Sequence, residues 1–190
     1  MARPRNFDEG QAVDAAMRAF WAGGYEATST QDLCDATGLG RSSIYNTFKS
    51  KHDLFGRALR HYIEAVSGRQ VELLNGDAPV REKFRILLHQ VVDDECGDRM
   101  GCLVVNAGIE LASHDPEVAG LLKRDCDRRV GAMREAIEAG KSAGDIAPGR
   151  DALALAHFVN AIAGGLRVAA RAGADRAALE AVVATALDAL

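Results

Sequence analysis

Several things this chain lacks narrow its class before any motif is read. Aromatic residues make up 5% of its 190 residues, with one Trp, so any core must be mainly aliphatic. Alternation of β-branched and polar residues is missing, which excludes an architecture built on half-buried strands. No run approaches the roughly 20 consecutive apolar residues of a membrane span. The start, MARPRNFDEG, has two arginines with no hydrophobic segment behind them and does not read as a signal peptide. A cytoplasmic protein with no membrane partner is expected. The four cysteines, at 34, 96, 102 and 126, show no Cys-x-x-Cys spacing, so neither a zinc site nor a disulfide framework is indicated. Catalytic signatures are missing too: there is no His-Glu-x-x-His, no Gly-x-Ser-x-Gly and no phosphate loop ending in Gly-Lys-Ser/Thr. Gly38-Leu39-Gly40 half-matches a dinucleotide loop but lacks a preceding strand and the third glycine. The expectation is a non-enzyme that carries no metal and no cofactor.

Charge is also sparse. The formal net charge is −4, but it divides unevenly. Residues 1–60 carry eight Lys/Arg against seven Asp/Glu, and the remainder fifteen against twenty. The basic residues of the first part gather at its edges, at Arg3, Arg5, Arg41, Lys49 and Lys51. Contact with nucleic acid needs a local basic surface rather than a basic chain. The near-neutral N-terminal part therefore argues against a sequence-blind architectural DNA binder and is compatible with a specific one.

What is present is helical periodicity throughout. Apolar residues recur at three and four along the chain, which predicts an all-α fold. The first helix, from about Asp8 to Ala22, carries Val13, Met17, Phe20 and Trp21, and Gly23-Gly24 ends it. Thr28 or Ser29 can cap the second, with Gln31 or Asp32 completing a capping box. Gly38 permits the positive φ of a helix C-terminus. A third helix then runs from Arg41 to Phe48. Ile44 and Phe48 share one face by their i, i+4 spacing, leaving Arg41, Ser42, Tyr45 and Asn46 on the other. Two short helices across a glycine turn, the second with a hydrogen-bonding and non-acidic face, form the arrangement used to enter the DNA major groove. Arg41 suits guanine O6 and N7, and Asn46 suits adenine N6 and N7; Ser42 and Ser43 can reach base edges or phosphate. Thr28, Ser29 and Thr30 lie where free helix N-terminal amides attract phosphate.

This segment resembles the N-terminal domain of the tetracycline-repressor (TetR) family. The matching positions are Gly24-Tyr25, Thr28-Ser29, Leu33-Cys34, Gly38-Leu39, Ile44-Tyr45, Phe48, Ser50-Lys51 and Leu54. Cys34 replaces the usual small Ala, and Gly40 stands where a Ser usually caps the recognition helix. The resemblance implies phosphate contacts from Tyr45 and Lys51, with Lys49 beside them. It implies an N-terminal three-helix helix-turn-helix domain over 7–66, with the motif itself at 29–48, and a ligand-binding and dimerisation bundle over 67–190. It further implies a homodimer on a palindromic double-stranded operator, repressing transcription until a small-molecule effector binds.

Within the second part, the helix from Asp151 to Ala172 is apolar on every side, which requires burial on every side. Its Leu155, Phe158, Val159, Ile162, Gly165 and Leu166, with Val183 and Leu187 of the last helix, are read as the dimer interface, with a purely intramolecular core as the other reading. Cys102, Asn106 and Glu110 recur every four residues and read as a polar line in a ligand pocket, with His89 and Phe158 as neighbours. The same line could be a solvent face. Cys102 also follows Gly101 at a helix start, where the macrodipole favours a reactive thiolate. A thiol-based redox or electrophile sensor on the same scaffold is the alternative, with Cys102 then expected to be alkylated first.

Overall fold

A computed structural model describes residues 7–97 and 100–190. Arg3 and Arg5, counted above among the basic residues, lie outside them. The described residues form nine helices and no strands: α1 (Glu9–Gly23), α2 (Thr30–Thr37), α3 (Arg41–Phe48), α4 (Lys51–Asn75), α5 (Val80–Cys96), α6 (Leu103–Glu110), α7 (Pro116–Ala143), α8 (Ala152–Arg171) and α9 (Arg176–Asp188). The starts follow their capping chemistry. Asp8 caps α1, Ser29 and Asp32 form a reciprocal capping box on α2, and Asp151 and Asp175 cap α8 and α9. Each such cap contributes about 1 kcal/mol by satisfying amides that have no partner inside the helix.

The helices divide into two compact units. One holds the chain through residue 65 together with residues 102–121; the other holds residues 66–101 and 122–190. A division at 66/67 read from the sequence leaves 102–121 with the C-terminal part, whereas the structure packs α6 against α1.

In the first unit, Phe20, Leu33, Ile44, Phe48, Leu54 and Phe55 are fully buried. Phe20 meets Phe55 edge-on at 5.1 Å between ring centres, and Tyr25 meets the same ring at 4.9 Å. Few as they are, the aromatics concentrate where three short helices must be held on a small core. Burying one such ring contributes about 1.5–3 kcal/mol.

The second unit is aliphatic. Leu87, Leu88, Val91 and Val92 of α5 pack with Met133 and Ile137 of α7, Ala156 and Val159 of α8, and Leu179 and Val183 of α9. Four of the residues read as dimer interface, Leu155, Val159, Leu166 and Val183, lie in this internal core. Phe158, Ile162 and Leu187 pack at its margin, partly buried. Gly165 is exposed. Outward apolar surface is instead carried by Leu153 and Val168 of α8 and Val182 of α9. An all-apolar helix gives no periodic cue to which side faces its own core, so spacing alone does not separate its inward from its outward face. By length and composition alone, α8 is apolar enough to cross a membrane; in the fold it is a core helix, with Ala156 and Val159 fully buried.

Candidate nucleic-acid interface

The site is built from the α2–α3 corner. Gly38 ends α2 with φ +68°, the left-handed conformation that a side chain would strain. That turn lets α3 leave at an angle with Ile44 and Phe48 facing inward, both fully buried. The helical period then leaves Arg41, Ser42, Tyr45 and Asn46 exposed together, while Ser43 is half-buried. Gly40 is the N-cap of α3 and supplies no side-chain hydrogen bond. The Ser43 and Ile44 amides bond back to the Gly40 carbonyl at 2.9 and 3.1 Å. The Arg41 and Ser42 amides sit at the open end of the helix, where the dipole favours an anion.

Around this face lie the groups suited to phosphate. The Tyr45 hydroxyl is 3.3 Å from Thr30 Oγ1, so α2 and α3 present the two hydroxyls side by side. Ser29 is exposed, and its Oγ accepts from the Asp32 amide at 3.1 Å. Asp32 in turn accepts from the Ser29 amide. The Ser29 hydroxyl and then its amide hold the Asp32 carboxyl below its ordinary range. Thr28 sits differently from its neighbours: it is buried, and its hydroxyl donates to the Gly24 carbonyl at 2.6 Å. Lys49 caps the C-terminus of α3 with φ +56° and is exposed. The Lys51 ammonium lies 4.5 Å from the centre of the Tyr25 ring and 3.4 Å from the Glu26 carbonyl. This cation–π contact aims the charge rather than leaving it free. Burial, followed by the carboxylates of Glu26, Asp115 and Glu110, raises the Tyr25 phenol above its usual value.

The structure gives Glu110 a place the sequence reading did not. Its carboxylate accepts from the backbone amides of Tyr25 and Glu26, at 2.9 and 2.7 Å, across 85 and 84 residues of chain. It thereby fixes the loop between α1 and α2. Cys102 is the buried N-cap residue of α6, and Asn106 is half-buried on the same helix. His89 is half-buried on α5, and Phe158 packs partly buried against the second core. A second tie within the first unit carries no sequence signal, because its partners lie 63 residues apart. His52 Nε2 lies 2.6 Å from Asp115 Oδ2, while Asp115 Oδ1 caps α7 through the Glu117 and Val118 amides. The capping bond from Val118 and the contact with His52 hold Asp115 below the ordinary carboxylate range against the opposing effect of burial.

The fold and its helix-turn-helix are shared with known proteins. Residues 12–58 match the profile described as bacterial regulatory proteins, tetR family, and residues 87–186 match the tetracyclin repressor-like C-terminal domain. An uncharacterized HTH-type transcriptional regulator of Bacillus subtilis, YezE, is 31% identical over 163 residues, covering 84% of each chain. The Escherichia coli HTH-type transcriptional repressor ComR is 29% identical over 190 residues, covering 97% of this chain and 90% of its own. A cysteine mutant of the TetR family regulator CifR, solved with a 26-base-pair operator DNA, superposes with a TM-score of 0.87 at 34% identity over 99% of both chains. With an exposed recognition face on α3, a helical second unit and both family profiles matched, the chain belongs to the TetR family and is a DNA-binding transcriptional regulator of the helix-turn-helix type.

Proposed function

We propose that the protein works in the bacterial cytoplasm as a homodimeric repressor of a palindromic operator, released when a small molecule binds its C-terminal bundle. The observation that carries the DNA half is the α3 face: Arg41, Ser42, Tyr45 and Asn46 are exposed together beside the open amides of the helix start. Two such faces in a twofold dimer reach successive major grooves about 34–36 Å apart. The DNA-bound relative CifR and the repressor ComR support the same reading. Release needs an effector that favours a state with different spacing, by a coupling of about 1–3 kcal/mol. The division of labour assigns 7–66 to DNA and 67–190 to ligand and dimer. Residues 102–121, packed with the first unit, lie on the ligand side of that division. No catalytic step enters this reading.

The test is selection of sites from random-sequence duplexes, followed by fluorescence anisotropy on the enriched DNA. An inverted repeat should emerge, bound with an affinity that falls steeply with salt as phosphate contacts release counterions. Equal affinity for selected and random duplexes would overturn the reading. A thiol switch is the second reading. Exposed Cys96 favours it, because it borders the same cavity as Arg176 and is open to reagents.

A further inference from the structure

A cavity of about 560 Å³ opens in the second unit between the ends of α5 and α8 and the start of α9. It is lined by Glu95, Cys96, Ala170, Arg171, Ala174 and Arg176, among others. Its volume falls in the range of small-molecule sites. None of the residues read from the sequence as a ligand pocket borders it.

The lining charges are in different states of satisfaction. Arg171 Nη2 donates to the Met100 carbonyl at 2.6 Å. Arg176 Nη1 donates to Asp93 at 2.8 Å and to Glu180 at 3.3 Å. Asp175 accepts the Ala178 amide as the cap of α9. Glu95 is the exception. Its side chain is 4% exposed, it accepts no hydrogen bond from the described residues, and its ion pair with Arg167 Nε is long, at 3.8 Å. Burial pushes its carboxyl above the ordinary range, and Arg167 and then Arg171 offset that only in part. A mostly buried carboxylate whose only pair is long gains from a donor that enters the cavity. The carbonyl ends of α5 and α8 add negative potential at the same place.

We propose that this cavity binds a small organic cation whose N–H groups dock on Glu95, with its apolar part against Ala170, Ala174 and Cys96. A planar amidinium or guanidinium matches a carboxylate with two parallel hydrogen bonds. The two lining arginines spend hydrogen bonds elsewhere, Arg171 on the Met100 carbonyl and Arg176 on Asp93 and Glu180, so neither donates to Glu95. Service as the effector site rests on the release reading; binding itself does not.

The probes are benzamidine, neutral benzamide and anionic benzoate, titrated calorimetrically into the full-length, DNA-free protein. Benzamidine should bind at millimolar concentration, and benzamide and benzoate at least about tenfold more weakly. Glu95→Gln should weaken benzamidine by about tenfold or more. Cys96→Phe should block the cavity while leaving Glu95 and Arg167 in place, so it decides the matter if Glu95→Gln fails to fold. Benzoate binding as well as benzamidine, or benzamidine binding unchanged in a folded Cys96→Phe protein, would overturn the proposal. Operator release is read separately by anisotropy. Binding without release leaves the site intact and removes its regulatory role; release by other compounds without benzamidine binding leaves the release reading and removes the site.

Discussion

Glu110 and Tyr25 are joined by a carboxylate–amide hydrogen bond of 2.9 Å that pins the α1–α2 loop to the end of α6, and the same carboxylate takes the Glu26 amide. Gly24 makes the approach possible. It has φ +82°, and a Cβ there would stand 3.1 Å from Glu110 Oε2. The helix-turn-helix is therefore held from outside itself, by a residue on the connecting helices.

Removing that hold should act on DNA binding through position rather than contact. Glu110→Ala should lower the thermal midpoint and weaken the operator, by about 1–3 kcal/mol for the two charge-assisted bonds. Circular dichroism should still show a helical protein. Gly24→Ala should destabilise similarly, since it adds both backbone strain and the contact with Glu110. A Glu110→Ala protein with unchanged operator affinity and melting would show that the loop needs no external hold.

Side chains on the α3 face should sort by what they contact. Arg41→Ala should cost about 1–3 kcal/mol at particular base pairs and relax preference there. Tyr45→Phe and Lys51→Ala should weaken all sites alike, and Lys51→Ala should lower the salt slope by about 1. The Lys51 change also removes the cation over Tyr25. Thr28→Val, by contrast, should act through stability, because Thr28 is buried and bonded to Gly24. Binding to a panel of single-base variants of the selected site separates these outcomes.

Much of this corner was legible in the sequence. Ser29 with Asp32, Gly38 before Arg41, and the Ile44–Phe48 pair each obey a local rule that operates within four residues. Which member of Thr28-Ser29-Thr30 turns inward was not legible, because all three are equally good caps by type. Glu110 was beyond reach for a different reason. A carboxylate that binds backbone amides 84 and 85 residues away matches no side-chain pattern, and its i, i+4 neighbours Asn106 and Cys102 suggested a pocket line. Neither α8 nor Glu95 announced its surroundings. Uniform apolarity hides the inward face of the helix, and Glu95 becomes unusual only once its burial and missing donors are known.

Substitutions on α8 should separate the two apolar faces. Val168 and Leu153 are 50% and 45% exposed, whereas Val159 is fully buried. Val168→Glu or Leu153→Glu should leave a folded chain that sediments as a monomer at micromolar concentration and loses tight operator binding. Val159→Glu should unfold the protein, as a charge without a partner enters the core. A dimer that survives both outward substitutions would place the interface on another surface.

Acid should release the helix caps together. Asp115 and Asp151 are held below their ordinary range mainly by backbone amides at the starts of α7 and α8, and Asp32 by Ser29. A depressed carboxyl contributes stability that is present above its unfolded value, near pH 4, and is lost as pH falls through the lower folded value. The melting temperature should therefore be flat with respect to these groups near neutrality and fall below about pH 4. Asp151→Asn should flatten that fall, because the amide side chain can still cap without titrating. An unchanged slope in Asp151→Asn would mean that other carboxylates govern acid unfolding.

Alkylation decides whether a cysteine can serve as the switch. A helix-start thiol at Cys102 was expected from the sequence to react first in that reading, but the structure buries it to 7% exposure. Cys96 is exposed and borders the cavity near Arg176, while Cys34 and Cys126 are intermediate. Thiolate chemistry needs access as well as charge, so a mass-spectrometric time course at pH 7 should show Cys96 modified first and Cys102 last. If operator binding is lost in step with Cys96 modification, and Cys96→Ser retains DNA binding without that response, the thiol switch holds and runs through Cys96. If Cys96 is fully modified while the operator stays bound, release belongs to a non-covalent ligand. Rapid modification of Cys102 in the folded protein would instead require α6 to open in solution, and would return the switch to the residue first suggested by the sequence.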